Sequence, residues 1–114
     1  LHKVHKEVRN FIKSRPGTIC MTHSSHFYPQ GTNLYFIFNA KFENKEKYLD
    51  FQRNIIKKIN DSGGSLSHHH GIGKMMAPLF KEHIGENEFE FLKSVKNHFD
   101  KDGIINSGGI LGFD

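Results

Sequence analysis

Residues 63–74 read Gly-Gly-Ser-Leu-Ser-His-His-His-Gly-Ile-Gly-Lys, and nowhere else in the 114-residue chain are groups able to do chemistry packed so densely. Histidine changes charge most easily near neutral pH, and either ring nitrogen can donate or accept a proton. Glycines on both sides permit positive φ and let a ligand approach the main chain, so the spacing predicts a loop pressed against something flat or anionic. No packing argument requires His68, His69 and His70 in a row, with Lys74 just beyond.

Two kinds of chemistry suit such a run. A metal ion would take only one of three adjacent histidines, because tetrahedral sites draw ligands from more widely spaced residues; the others would have to come from His23, His26 or the tail. Acid–base chemistry would use one or two imidazoles at a reacting group, with Lys74 and loop amides holding negative charge and Tyr28 as a phenolic proton donor. That second use needs a redox or electrophilic partner. The chain carries neither a P-loop nor a dinucleotide fingerprint, so the partner must come from elsewhere.

Positioning these groups falls to elements whose periods are legible. Over residues 1–13 Leu1, Val4, Val8, Phe11 and Ile12 recur at helical spacing, and Pro16 and Gly17 stop the helix. Residues 18–23 read as a short strand, and 24–32 as a loop turning at Pro29 and Gly31 and carrying His26 and Tyr28. Over 33–42 Leu34, Phe36, Phe38, Ala40 and Phe42 alternate onto one strand face, leaving Tyr35, Asn39 and Lys41 on the other. Asn44 caps a long helix striped by Tyr48, Phe51, Ile55, Ile56 and Ile59, which Gly63 and Gly64 end. Residues 65–67 leave room for a short strand before the histidines. Over 75–83 Pro78 opposes a regular helix unless it occupies the first turn. A further amphipathic helix follows over 87–99, and the glycine-rich residues 104–114 suit an extended segment. The order predicts an α+β fold, an antiparallel sheet packed by helices, close to a ferredoxin-like half that lacks its first strand and exposes a sheet edge.

Composition bounds the function classes. The length allows one modest domain, and 36% apolar residues with 11 phenylalanines place the chain among globular proteins. A formal charge of +4 is spread over helical faces, which argues against nucleic acid as the partner. The lone Cys20 cannot form an internal disulfide and suits a reducing compartment. No apolar run is long enough to span a membrane. The chain opens on Leu1 within a helical pattern, which we read as a fragment, residues 1–114, of something longer.

Three segments resemble the C-terminal part of FAD-linked oxidases of the vanillyl-alcohol-oxidase type. His26, Phe27, Tyr28, Pro29, Gln30 and Gly31 match the family's H-x-Y-x-x-G, and the run from Gly63 to Lys74 matches its central histidine segment. Asp100 to Gly108 corresponds to the ending D-P-x-x-I-x-N-P-G, with Lys101 and Ser107 replacing the prolines. In the lactate and glycolate dehydrogenase branch a glutamate stands where this chain has His69, so the resemblance is greater to the alkyldihydroxyacetonephosphate synthase branch.

The resemblance implies a cap, or substrate, domain of an FAD-dependent enzyme whose FAD-binding domain lies elsewhere in the same protein. The implied reaction exchanges the acyl group of acyl-dihydroxyacetone phosphate for a long-chain alcohol in ether lipid synthesis. It further implies Tyr28, His68, His69 and His70 as catalytic groups and His69, His70, Gly71 and Asn106 as flavin contacts. Lys74 and His26 would touch a lipid or phosphate-bearing substrate, no metal ion would take part, and the full-length protein could form a homodimer. Two other readings stand beside it: an FAD-linked 2-hydroxy acid dehydrogenase, and a non-enzymatic metal- or partner-binding module.

Overall fold

The computed structural model describes residues 1–111 and divides the chain into two compact units, Leu1–Ser65 and Leu66–Asp114. Four helices and one two-stranded antiparallel sheet make an α+β fold, as the periodicities predict. Along the chain run α1 (His2–Lys13), β1 (Ile19–Tyr28), β2 (Gly31–Asn39), α2 (Lys45–Asp61), α3 (Gly73–Ile84) and α4 (Glu86–Phe99).

The first unit is built on the helical spacing of α1. Val8 and Ile12 lose all contact with solvent, and with Cys20 of β1 and Ile55 of α2 they form a core flanked by Phe11, Phe36, Phe38, Phe51 and Ile59. Phe51 is the hub of the aromatic packing, 5.3 Å from Phe11, 5.7 Å from Phe38 and 5.3 Å from Phe42 between ring centres. Asn44 caps α2 as its position predicts, its side-chain oxygen accepting from the Lys47 amide at 2.9 Å.

The hairpin is longer than its sequence suggests. β1 continues through the expected loop to Tyr28, leaving only Pro29 and Gln30 as the turn, and β2 starts at Gly31 and stops at Asn39. Pairing runs in regular steps from Ile19↔Asn39 to Ser25↔Asn33, then resumes at Tyr28↔Gly31, so His26 and Phe27 together face Thr32 alone. That extra residue is a β-bulge, and His26 takes it up with φ of 54°. Thr32 stitches the bulge, its hydroxyl donating to the Ser25 carbonyl at 2.8 Å and lying 3.1 Å from the Ser24 hydroxyl. Phe42 lies beyond the strand and packs on Tyr48 and Phe51 instead.

In the second unit no strand forms at residues 65–67. Residues 75–83 are helical, and α3 continues through Pro78 although the proline takes away the amide donor to the Lys74 carbonyl. Gly85, with φ of 93°, separates α3 from α4. Beyond α4 the tail is a series of turns over residues 101–111, in place of the expected extended segment, and residues 112–114 of that expectation lie outside the described residues. Leu66, Ala77, Phe89 and Leu111 are the buried apolar residues of this unit.

Candidate functional site

The bulge decides where the phenol points. Directly paired residues of an antiparallel sheet carry their side chains on the same face, so Cys20↔Phe38 and Thr22↔Phe36 face the core. Tyr28 is even-numbered and by simple alternation would join them. Because the bulge absorbs one residue, Tyr28 pairs with Gly31 and falls in the row of His23↔Tyr35, Met21↔Ile37 and Ile19↔Asn39, on the opposite face. That face is open: Tyr28 is 51% exposed and Met21 59%. His23 and Tyr35 lie along it with ring centres 5.8 Å apart; sequence reasoning weighed His23 only as a possible metal ligand and took Tyr35 as an outward residue. The signal for them was the pairing partner, which needs the bulge to be known. The ring of His26 is held by the Ser25 hydroxyl, 2.9 Å from its Nδ1.

His68, His69 and His70 lie in the second unit, on the loop before α3, and all three are exposed. Their rings stand nearly perpendicular in series, His68 to His69 at 5.0 Å and 88°, His69 to His70 at 4.2 Å and 83°. Nδ1 of His68 lies 2.8 Å from Nδ1 of His69, so one ring donates there and the other accepts. Gly71 and Gly73 both have positive φ, and nothing lies within 4 Å of where a Cβ would stand on either. The main chain beside the imidazoles is therefore bare, a conformation that a β-carbon would strain.

Lys74 is exposed in the first turn of α3, which contains no acidic residue, so its charge adds to the positive end of the helix dipole. Asn106 is exposed on the tail turn with φ of 49°, and its carbonyl accepts from the Gly109 amide at 3.0 Å. The Asn106 side chain lies against Gly109, where a Cβ would come within 2.4 Å of its amide nitrogen. The tail returns to the histidine loop through the Ile110 amide, which donates to the Gly73 carbonyl at 3.1 Å. Of the residues singled out in the sequence, the second unit thus brings together His68, His69, His70, Gly71, Lys74 and Asn106, whereas Tyr28 and His26 belong to the first.

An isoalloxazine ring needs a flat surface to lie on and hydrogen-bond donors at its nitrogen and oxygen edge. Open backbone at Gly71 and Gly73 leaves room for a ring to approach, and the exposed imidazoles beside it supply donors, so the donor set fits a flavin. For a metal ion the arrangement is poorer: among the described residues no group of three or more His, Cys, Asp or Glu is placed to hold one.

Comparison with known proteins identifies the family. The chain matches the description "FAD linked oxidases, C-terminal domain" over residues 1–110. It is 34% identical over 122 aligned positions to the protein named "Uncharacterized FAD-linked oxidoreductase YgcU" of Escherichia coli O157:H7, with 96% of this chain and 25% of that protein covered. It is 37% identical to the alkyldihydroxyacetonephosphate synthase of Dictyostelium discoideum, covering 80% of this chain and 15% of the relative, and 30% identical to that of Trypanosoma brucei brucei, covering 78% and 15%. The chain therefore spans a quarter or less of the length of these relatives. No solved structure gives a significant match.

Proposed function

The chain belongs to the C-terminal domain family of FAD-linked oxidases, whose cofactor is FAD, and from that premise we propose that it is the cap domain of a larger flavoenzyme that exchanges acyl for alkyl on a dihydroxyacetone phosphate ester. The FAD-binding domain is another part of the same protein. The observation that carries this reading is the imidazole series His68–His69–His70 beside bare backbone, which supplies several proton-bearing nitrogens at one surface. Its support among relatives is the two alkyldihydroxyacetonephosphate synthases.

In this reading Tyr28 holds and returns a proton through its hydroxyl from the open face of the hairpin. His68, His69 and His70 donate hydrogen bonds to charge that develops on the substrate, and His69, His70, Gly71 and Asn106 line the flavin. Bound FAD supplies the electrophilic ring system that no side chain provides. Lys74 and the amides that open α3 bind the phosphate of the substrate; His26, its ring fixed by Ser25, is the substrate contact assigned to the first unit.

The test uses the full-length protein with acyl-dihydroxyacetone phosphate and a long-chain alcohol. Exchange that falls by roughly 10²–10⁴-fold in Tyr28→Phe, with FAD still bound, supports the assignment. Undiminished exchange in that variant removes Tyr28 from the reaction.

A second reading has its own support, because the match to the FAD-linked oxidoreductase of Escherichia coli extends over 96% of the chain. In that case the protein is an oxidoreductase; with a 2-hydroxy acid as substrate, the alternative that the sequence resemblance offers, the flavin bleaches when lactate or glycolate is added without oxygen. Bleaching with no alkyl exchange selects this alternative.

A further inference from the structure

Asp100 sits where helix chemistry disfavours it. It is the residue that ends α4, and a carboxylate at a helix C-terminus faces the negative end of the dipole. It is also 7% exposed, among the few buried polar residues. Lys96, one turn earlier, offsets both costs by pairing its ammonium with the Asp100 carboxylate.

The arrangement orders the turn that follows. One carboxylate oxygen accepts from the Ile104 amide at 3.0 Å, the other from the Ile105 amide at 2.9 Å, and the Lys96 ammonium also donates to the Ile105 carbonyl at 2.7 Å. Residues 101–105 are thereby closed around one charge. The next residue is Asn106. From there the Gly109 amide donates to the Asn106 carbonyl, and the Ile110 amide donates to the Gly73 carbonyl, at the start of α3 and three residues from His70.

We propose that Asp100, charge-compensated by Lys96, is a positioning residue that sets the Asn106 turn and, through the Ile110 to Gly73 hydrogen bond, the histidine loop. It touches neither substrate nor flavin. Its effect on catalysis rests on the reading that His68, His69 and His70 line the reacting centre, whereas its effect on the loop does not. Removing the carboxylate releases two amides and leaves the Lys96 ammonium the Ile105 carbonyl in place of its ion pair, so the 101–111 turns and residues 66–73 loosen together while α1, β1, β2 and α2 keep their order.

Hydrogen–deuterium exchange on the full-length flavoprotein tests this directly. In Asp100→Ala, peptides covering 66–73 and 101–111 are expected to exchange faster together, with those from 1–65 unchanged. In the alkyl-exchange assay kcat falls by roughly 10–100-fold with a much smaller change in KM, the pattern of a displaced catalytic group rather than of lost protein. Faster exchange confined to 101–111, or an effect spread evenly over 1–111, overturns the proposal. Should Asp100→Ala not accumulate folded, Asp100→Asn, equal in size and without the charge, carries the same measurement. If the wild-type protein performs no alkyl exchange, the reaction assigned above fails by itself, and the exchange pattern still decides the role of Asp100.

Discussion

The first unit is held by apolar burial and the second by directed hydrogen bonds, and the groups proposed for chemistry are divided between them. In Leu1–Ser65 the fully buried Val8 and Ile12 and the stacked phenylalanines around Phe51 fix the hairpin without a buried charge. From Leu66 onward the loops carrying the histidines and Asn106 are held by the carboxylate of Asp100, the Gly109 close approach and the Ile110 to Gly73 bond. Apolar packing distributes stability over many weak contacts, whereas a loop held by a few hydrogen bonds opens when any one is lost. The phenol thus rides on a hairpin anchored to an apolar core through Cys20, Phe36 and Phe38, and the imidazoles on segments that single substitutions can release.

Four measurements would break or sharpen that contrast. Ile12→Ala deletes buried methylenes at a site with no solvent contact, and about 2–5 kcal/mol of stability should go, read as faster hydrogen exchange throughout α1 and β1. A cost under about 1 kcal/mol would mean that the first unit is not held by its core. Gly109→Ala pushes a methyl into the Asn106 side chain and should cost about 1–3 kcal/mol, with the exchange increase confined to the second unit. An increase reaching α1 would abolish the distinction between the two units.

The remaining two concern pH and are smaller. Burial pushes the Cys20 thiol up, against the pull of the Arg9 and Lys13 charges. The unfolded thiol therefore ionises first: stability is whole below the ordinary thiol range and declines as pH rises through it toward the higher folded value. Urea midpoints should fall on going from pH 7 to pH 10, and Cys20→Ala should flatten that trend; an equal slope in the variant would assign the fall to other groups. At the other end of the scale, a backbone hydrogen bond of Glu43 and then the Arg15 charge hold its carboxyl below the usual range. Its contribution is present above that range and lost as pH falls through the lowered value. The pair is exposed, with 3.4 Å between its charged atoms, so Glu43→Gln should leave the urea midpoint at pH 7 where it was. A clear drop would show that surface charge contributes to the first unit.

Much of this was legible in the sequence, for reasons that differ from element to element. The periods of α1, α2 and α4 are those of one buried face, so their existence follows from spacing, and the Asn44 cap follows from the type of side chain that can accept an amide hydrogen bond. The histidine run was visible because its residue types have no packing use. The extent of β1 was hidden because residues 24–26 are polar on both sides and Phe27 and Tyr28 are exposed rings, which happens when a strand has an open face and a bulge shifts its alternation. Pro78 misled for a different reason: an interior proline removes an amide donor and disfavours a helix, yet α3 continues through it. Asp100 lies within a recognisable motif, but its work depends on two backbone amides that no side-chain pattern reveals.

The extra residue opposite Thr32 has a genetic consequence. Losing one codon at position 26 or 27 would restore an uninterrupted ladder with Gly31 still across from the tyrosine, so the hydroxyl would keep its side of the hairpin. The same loss at positions 20–24 would shift the register of every pair behind it and drive core side chains into water. Within β1, loss of a residue is therefore tolerable at the bulge, beside the residue whose placement matters most.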